Sequence, residues 1–534
     1  MTAMDTKVAT PDGVVEGMRG KRTRRGTISW KGIPYAAPPV GAGRFQAPRP
    51  VHPWPGVRNC THFGKAAIQE KRFTAVAPGK YQPMGEDSLT LNVFSPDSVP
   101  TRPRPVMVFI HGGANMLGTA ATPLYDGSAL ARAEDVVVVT IQYRFGAFGY
   151  LDFSKYSTSE RRYDANVGLL DQIAALRWVQ RSIAVFGGDP DNVTVFGESA
   201  GGSAVVTLLA SPAAEGLFAR AIAESPAPEL VVNRENADIF ADEFLRLLRD
   251  PERRATAPEQ GAPIPDDEAQ RLLDGATAGE LLRTADRLMR FGRRIGASDP
   301  LPFGPVVGED SLPLAPLAAA MAGTTQRVPL IIGTNGEEGR LFEKFWNVLP
   351  DAQRALTRFT DSDVRDEITA AYPGGEPDLV KLSADGTFWA PVITYASAYS
   401  AVAPTYVYRF DFYTRVLGSL GLRATHATEL FAVFGAYRAP IGAGLAVGDW
   451  SAAARVTDDV QSRWGDFARD GVPGSDWPRY TAATRDVLVF DRVTHVESDP
   501  APARRRAWMR AYGLGDAERT ADAVSSGATK LASD

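Results

Sequence analysis

The stretch Val193-Thr-Val-Phe-Gly-Glu-Ser-Ala-Gly-Gly-Ser-Ala-Val-Val-Thr-Leu-Leu209 predicts a short apolar strand, a sharp turn and an apolar helix. The turn carries the pattern Gly-x-Ser-x-Gly around Ser199. A serine at such a junction adopts strained backbone geometry, and the turn closes only if its flanks, Gly197 and Gly201, lack side chains. The turn lifts the Ser199 hydroxyl off the sheet as a candidate nucleophile. The alternative is a glycine-rich helix start at which Ser199 caps its own helix.

Short apolar segments with strand character recur along the chain. They are Val106–Ile110, Val136–Gln142, Val193–Phe196, Pro329–Ile332, Tyr406–Phe410 and Val487–Phe490. Continuous apolarity over such lengths is typical of strands that are buried on both faces, as in a parallel sheet. Between two of them, residues 169–185 carry apolar side chains at spacings of three and four, which predicts a helix with one buried face. We therefore expect an α/β fold with a mostly parallel central sheet flanked by helices.

Composition excludes several classes of protein. The 534 residues include 58 Lys and Arg against 63 Asp and Glu, a net charge of −5, so no basic excess favours nucleic-acid binding. The single cysteine, Cys60, cannot form an intrachain disulfide, which suits a reducing compartment. Neither a secretory signal nor a run of about 20 apolar residues is apparent. We expect a cytoplasmic protein that engages neither membranes nor nucleic acids.

The sequence contains no linker that would divide it into compositionally distinct parts. A prior of about 150 residues per domain would suggest three or four domains. Without a boundary, we instead expect one domain over residues 1–515, with insertions at about 230–300 and 340–400. Residues 516–534 are rich in small and polar side chains, and we expect them to form a disordered tail.

A glycine loop follows the predicted strand Val106–Ile110. Its residues are His111-Gly112-Gly113-Ala114, and small side chains allow backbone N–H groups to approach a reacting carbonyl. Gly113 and Ala114 are therefore candidates to share an oxyanion with the N–H group of Ala200. His111 precedes the serine and adjoins the loop, so we interpret it as a buried ring that is hydrogen-bonded to backbone.

A serine hydroxyl needs a base and an orienting carboxylate before it can act as a nucleophile. Where the order along the chain is Ser, acid, His, as in α/β-hydrolases, only His426 and His495 can supply the base. His426 lies on a loop beyond a predicted strand, whereas His495 lies in a polar segment without that setting. Glu337 and Glu338 both lie in a Gly-rich turn after a strand, and their spacing alone does not choose between them.

Motifs along most of the chain resemble those of type-B carboxylesterases, the family that also contains the cholinesterases. The matching segments are Gly32-Ile-Pro-Tyr-Ala36, Arg44-Phe45, Glu86-Asp-Ser-Leu-Thr-Leu-Asn-Val93, Phe109-Ile-His-Gly-Gly-Ala114, Tyr143-Arg-Phe-Gly-Ala-Phe-Gly149, Asn166-Val-Gly-Leu-Leu-Asp-Gln172, Phe186-Gly-Gly-Asp-Pro190, Phe196-Gly-Glu-Ser-Ala-Gly-Gly202, Asn335-Gly-Glu-Glu-Gly339, His426-Ala-Thr-Glu-Leu430 and Val433-Phe-Gly435.

The resemblance implies an α/β-hydrolase fold whose long insertions form a cap over the active site. It assigns the nucleophile to Ser199, the base to His426 and the orienting carboxylate to Glu338. It likewise implies that the oxyanion donors are Gly113, Ala114 and Ala200, and it places Ser225 near the acid. Leu301 and Phe303 are candidate walls of the acyl pocket, with ordinary core packing as the equal alternative.

The expected activity is hydrolysis of small to medium, fairly apolar carboxylic esters through a covalent acyl-enzyme. This chemistry needs an ester and water as partners and neither a cofactor nor a metal; the histidines also lack a His-x-x-x-His pair. The alternatives are an acyltransferase with the same three residues and a catalytically inactive binding module on the same fold. The sequence leaves open whether the protein is a monomer or a homodimer.

One departure from the family concerns the segment between Gln69 and Asp87. Relatives often carry a cysteine just before the glutamine and another within the motif written here Glu86-Asp87-Ser88. Both cysteines are replaced in this chain. We therefore expect the loop that a disulfide usually closes to be unclipped and mobile.

Overall fold

The computed structural model describes residues 2–252, 263–292, 301–345, 349 and 352–514. The predicted tail, 516–534, lies outside the described residues, as do parts of both predicted insertions. The strands are β1 Lys7–Thr10, β2 Gly13–Glu16, β3 Met18–Arg19, β4 Thr27–Pro34, β5 Val57–Asn59, β6 Ala75–Ala77, β7 Lys80–Tyr81, β8 Thr90–Pro96, β9 Arg104–Ile110, β10 Val137–Ile141, β11 Gly188–Glu198, β12 Arg220–Glu224, β13 Leu330–Asn335, β14 Thr405–Phe410, β15 Asp486–Phe490 and β16 His495–Ser498.

Helices precede and follow most of these strands. They are α1 Ser128–Glu134, α2 Val167–Ser182, α3 Ala200–Ala210, α4 Arg234–Arg249, α5 Asp266–Gly275, α6 Ala278–Gly292, α7 Pro316–Met321, α8 Gly339–Phe345, α9 Ala352–Leu356, α10 Ser362–Ala370, α11 Glu376–Ala384, α12 Ala390–Tyr399, α13 Arg415–Ser419, α14 Leu430–Val433, α15 Pro440–Ala443, α16 Trp450–Asp470 and α17 Pro502–Ala511. A π-helical turn, Asp385–Trp389, joins α11 to α12. Among the described helices, none has both the length and the apolar character that a membrane span requires.

Eleven of the described strands form one large sheet in the order β16-β15-β14-β13-β12-β11-β9-β10-β8-β4-β3, and the other five form two small sheets, β1-β2-β5 and β6-β7. The strands from β15 to β10 in this order pair in parallel, and the neighbours at both edges pair antiparallel. The predicted mostly parallel sheet is thus confirmed, and every strand predicted from an apolar run is present. The strand β12, whose central residues include two alanines, went unpredicted because alanine has low strand propensity.

Alternate residues of the central strands belong to two separate cores, one on each face of the sheet. On β9, Val106 and Val108 face a core that includes α2 and α3, whereas Met107 and Phe109 face a core that includes α1 and α16. Because helices cover both faces, apolar side chains are favoured on both sides of these strands. This arrangement explains why the strands appear as uninterrupted apolar runs in the sequence.

The carboxyl ends of the parallel strands lie along a single edge of the sheet. The segments that follow β9, β11, β12 and β13 therefore emerge side by side, although they are far apart in sequence. Functional groups of open α/β sheets collect at this edge, where loops diverge and leave a crevice. Ser199, Ser225 and Glu338 all lie within three residues of these strand ends.

Candidate active site

Ser199 occupies a strained turn between β11 and α3. Its backbone angles are φ 59° and ψ −124°, a conformation that a residue with a side chain rarely adopts. Its N–H group donates to the carbonyl of Glu224 on the neighbouring strand (2.9 Å). In α3, all of whose residues are described, the Ser199 side chain makes no capping hydrogen bond. The structure thus contradicts the capping alternative and leaves the half-buried hydroxyl free to react.

The turn closes because glycine backbones pack directly against it. A Cβ atom at Gly201 would lie 2.0 Å from the carbonyl oxygen of Ile110, at the end of β9. A Cβ atom at Gly112 would lie 2.9 Å from the Cβ atom of Ser199. Both distances are below van der Waals contact, so side chains at these positions would push β9, the glycine loop and Ser199 apart.

Three backbone N–H groups beside Ser199 have no internal acceptor in the described part of the chain. They belong to Gly113, Ala114 and Ala200, the residues predicted to hold an oxyanion. The N–H group of Ala200 is also the first of α3, where the helix dipole favours negative charge. Unpaired N–H groups are costly in a folded protein unless water or a ligand satisfies them. Their position beside the serine suits stabilisation of an oxyanion.

His426 and Glu338 meet through a short contact. The Nδ1 atom of His426 lies 2.6 Å from Oε2 of Glu338, and both side chains are about 5 % exposed. Because a carboxylate accepts, Nδ1 carries a proton, and the Nε2 lone pair of the neutral ring is left to act as a base. Glu337, the alternative acid, instead pairs with Arg340 (2.8 Å) and Arg423 (3.5 Å) at the surface.

The carboxylate of Glu338 is held from its other side by two donors. Ser225 donates its hydroxyl to Oε1 of Glu338 (2.6 Å), and the backbone N–H of Asn335 donates to the same oxygen (2.7 Å). The predicted placement of Ser225 near the acid therefore agrees with the structure. Since Asn335 ends β13 and Ser225 follows β12, two adjacent strands fix the orientation of the carboxylate.

Two aromatic rings flank the imidazole of His426. Phe342 on α8 and Phe388 in the π-helical turn lie 4.9 and 4.7 Å from it, centroid to centroid. Both belong to the segment predicted as an insertion. Their role cannot be predicted from the sequence, because nothing in their local pattern shows that a distant segment folds over the histidine. Their contact excludes water from the ring.

Glu198, the residue before Ser199, lies against the other nitrogen of His426. Its Oε1 atom is 3.1 Å from Nε2, in a contact without the alignment of a hydrogen bond. Burial raises the pKa of Glu198 to about 7, although a charged His426 opposes this shift. For His426, burial lowers the pKa, but the carboxylates of Glu198 and Glu338 outweigh it and raise the pKa to about 9. The negative charge of Glu198 beside Nε2 therefore favours the protonated form of the imidazole.

The Glu198→Gln variant tests this electrostatic coupling. The base must be neutral to act, so the acid limb of kcat/KM follows the pKa of His426. Removing the Glu198 charge lowers that pKa, and we expect the limb to move to lower pH by about one to three units. The measurement is the pH dependence of kcat/KM for an aryl ester. The control is Glu343→Gln, which changes an exposed side chain on α8. If the acid limb of kcat/KM in E198Q stayed at its wild-type pH, the charge of Glu198 would not influence the pKa of His426.

Two further buried glutamates surround the site. Oε2 of Glu429 accepts from the side-chain amide of Asn335 (2.5 Å), and Oε1 of Glu224 accepts from the Trp464 indole (2.8 Å). Burial raises the pKa of Glu429 to about 8 and that of Glu224 well above its usual range. Sequence analysis assigned no role to Glu198 or Glu429, although both lie inside the quoted motifs around Ser199 and His426.

The remaining predicted residues have different positions. Phe303 is fully buried, and its carbonyl accepts from the Asn115 side chain beside the glycine loop (3.3 Å). Leu301 is half-buried, and its place in an acyl pocket stays a prediction. The ring of His111 is buried and its Nδ1 atom lies 2.9 Å from the Gly112 carbonyl, which confirms the interpretation of a backbone-bonded histidine. His495 lies at the surface against Glu497.

Side-chain amides hold the segment between Gln69 and Asp87. Gln69 makes a paired contact with Gly118: its Nε2 donates to the Gly118 carbonyl and its Oε1 accepts from the Gly118 N–H, both at 2.8 Å. Gln82 donates to the Gly64 carbonyl (2.7 Å) and accepts from the Thr119 hydroxyl (2.6 Å). The segment therefore carries no disulfide, as expected, but hydrogen bonds from Gln69 and Gln82 hold it to its neighbours, and its mobility stays a prediction.

Comparison with known proteins agrees with this geometry. A model of the carboxylesterase family matches residues 4–508. The para-nitrobenzyl esterase of Bacillus subtilis (strain 168) is 38% identical over 524 residues, which cover 95% of this chain and 99% of that protein. The fumonisin B1 esterase of Sphingopyxis macrogoltabida is 33% identical over 486 residues, 88% of this chain and 84% of that protein.

Solved structures of esterases resemble this structure as well. A thermophilic PNB esterase superposes with a TM-score of 0.82 at 35% identity, covering 95% of this chain and all of that one. Family match, sequence relatives and structural neighbours therefore all indicate a carboxylesterase, and they agree with the mostly parallel sheet. The chain belongs to the carboxylesterase family, and it is a carboxylic ester hydrolase with an α/β-hydrolase fold.

Proposed function

We propose that this enzyme hydrolyses small to medium, fairly apolar carboxylic esters with Ser199 as nucleophile, His426 as general base and Glu338 as the orienting carboxylate. The observation that carries the proposal is the 2.6 Å contact between Nδ1 of His426 and Oε2 of Glu338, at the same edge of the sheet as the strained turn of Ser199. A buried pair of this kind fixes the tautomer in which Nε2 accepts a proton.

The reaction proceeds in two half-reactions. His426 takes the hydroxyl proton as the Ser199 oxygen attacks the ester carbonyl, and the oxyanion accepts hydrogen bonds from Gly113, Ala114 and Ala200. Protonated His426 then gives its proton to the leaving alcohol, which yields an acyl-enzyme on Ser199. Water repeats the attack with His426 again as base, and the carboxylic acid leaves. Glu338 stabilises the imidazolium in both halves.

The preference for apolar esters rests on the surroundings of the glycine loop. A small cavity beside Met116 is lined mainly by apolar side chains: Ile68, Phe145, Phe148, Leu282, Ala285 and Phe303, together with the half-buried Asp286. The cavity measures about 20 Å³, which is room for little more than one water, so an acyl group enters it only if these side chains move apart. Each Å² of apolar acyl surface that they then remove from water contributes about 25 cal/mol. The names of two relatives mention para-nitrobenzyl and fumonisin esters, so para-nitrobenzyl esters belong in the substrate panel.

Labelling and product analysis test the proposal together. A fluorophosphonate should modify one serine per chain, and peptide mass spectrometry should place the label on Ser199. With para-nitrophenyl esters of graded acyl length, we expect a burst of nitrophenol followed by release of the free acid. Label on another residue would contradict the assignment of the nucleophile. If an added alcohol at millimolar concentration captures most of the acyl group, the enzyme is an acyltransferase. If the protein neither takes up the label nor turns over any ester of the panel, it is an inactive binding module.

A further inference from the structure

A histidine that takes no part in the proposed proton transfers begins the glycine loop, two residues before the first of the proposed oxyanion donors. Nδ1 of His111 lies 2.9 Å from the carbonyl oxygen of Gly112. A carbonyl can only accept, so Nδ1 carries the proton and the ring donates to this oxygen. The histidine is thus bonded to the peptide group that joins Gly112 to Gly113.

The planarity of that peptide determines where its N–H group points. The Gly112–Gly113 peptide is trans, so its C=O and N–H bonds point in opposite directions. When the ring of His111 holds the carbonyl on one side, the N–H group of Gly113 must point to the other. That N–H group has no internal acceptor among the described residues, and Gly112 packs against Ser199. The donor is therefore directed away from the ring and into the site.

The imidazole is itself held in place and cannot turn away. It stacks on the ring of Tyr143, with centroids 4.7 Å apart, and the Tyr143 hydroxyl donates to the backbone carbonyl of His111 (2.7 Å). A Cβ atom at Gly118 would lie 2.7 Å from both Nδ1 of His111 and the Gly112 oxygen. The chain therefore leaves just enough room for this hydrogen bond.

The surroundings of the ring also keep it neutral. Its Nε2 atom is buried and has no hydrogen-bond partner among the described residues. A second proton there would be a buried, unsatisfied donor with a positive charge. Burial accordingly lowers the pKa of His111 to about 4, although the bond to Gly112 partly opposes the shift. At neutral pH the ring has one proton, and that proton lies at Nδ1.

The next peptide group, which joins Gly113 to Ala114, is oriented by backbone hydrogen bonds. The carbonyl of Gly113 accepts from the N–H groups of Met116 (3.0 Å) and Leu117 (3.1 Å), which belong to the loop itself. The N–H group of Ala114, in the same peptide, consequently points away from these donors. The Gly113 carbonyl is thus bonded within the loop's own turn, whereas the Gly112 carbonyl is bonded to the side chain of His111.

We infer that His111 is a positioning residue for ester hydrolysis: its neutral Nδ1–H form holds the Gly112–Gly113 peptide so that the Gly113 N–H group faces the developing oxyanion. The inference rests on the proposed function, because it needs Ser199 to generate that oxyanion. An oxyanion hydrogen bond acts mainly in the transition state, so loss of the orientation lowers kcat more than it raises KM.

The test compares His111→Asn with His111→Leu. The two replacement side chains have nearly the same shape, and both lose the stacking on Tyr143, but only asparagine places a donor near the position of Nδ1. Rates are expressed per active site, counted by fluorophosphonate titration of Ser199. We expect kcat of H111L to be about 100-fold below that of H111N, with KM values within about threefold of each other. Affinity for a trifluoromethyl ketone, which forms an oxyanion on Ser199, should fall in parallel.

Each outcome has a separate meaning. Equal kcat per active site in H111N and H111L would overturn the inference and leave the proposed function intact. If wild-type enzyme is not labelled at Ser199, the proposed function fails first. Thermal unfolding of both variants shows whether a lower rate reflects lost fold. If H111L does not fold, His111→Phe takes its place, because phenylalanine keeps an aromatic ring but has no donor. Equal kcat values in H111N and His111→Phe would again overturn the inference.

Discussion

Replacing Ser199 with alanine should lower kcat for a short-chain aryl ester by roughly a million-fold, the loss expected when a serine nucleophile is removed from an intact triad. The remaining rate would come from binding and from the N–H groups of Gly113, Ala114 and Ala200. The fold should survive, because alanine tolerates the φ 59° conformation no worse than serine and the Ser199 side chain caps nothing in α3. Steady-state kinetics and thermal unfolding measure the two effects.

Ser211→Ala provides the matched control for that experiment. Ser211 is a buried serine at the opposite end of α3, beyond the last residue of the helix. We expect this variant to keep its activity and its fluorophosphonate label, whereas Ser199→Ala should lose both. If Ser199→Ala retained turnover after purification from any other esterase, the nucleophile would be elsewhere, and the assignment of the site would fail with it.

Glu338→Gln should lower kcat by about ten thousand-fold, comparable with the effect of neutralising the carboxylate of a Ser-His-Asp triad. The amide is nearly the same shape as the acid, so packing is preserved. It cannot stabilise the imidazolium of His426, and its amide group can force the proton from Nδ1 to Nε2, where it blocks the base. The measurement is kcat for the same aryl ester, with thermal unfolding as the check on the fold.

The neighbouring acid supplies a stringent control. Glu337→Gln makes the same chemical change one residue earlier, where the carboxylate pairs with Arg340 and Arg423 at the surface. Surface ion pairs contribute little, so we expect nearly wild-type kcat and a loss of less than about 1 kcal/mol of stability. A large loss in E337Q together with an active E338Q would reverse the assignment of the acid.

Local patterns predicted six of the eleven strands of the large sheet, although not β12, and they predicted the nucleophile turn. The strands buried on both faces gave uninterrupted apolar runs, and the glycines around Ser199 marked a close approach of backbones. The order of residues along the chain reduced the candidate bases to His426 and His495. The choice between Glu337 and Glu338 came from the family resemblance, because adjacent positions in a flexible turn have the same local environment in sequence.

Sequence by itself determined the fold class, the turn at Ser199 and the loop of His426, since each depends on residues that are close together along the chain. The contact between Glu338 and His426, 88 positions apart, was implied by the family resemblance and not by the local sequence, and the tertiary structure shows it directly. Only the tertiary structure decided that Glu198 lies 3.1 Å from Nε2. It also decided that His111 holds a peptide of the glycine loop. The physical reason is that hydrogen-bond partners depend on where distant strand ends meet and on the orientation of each peptide plane. Neither property produces a periodic pattern of residues in the sequence.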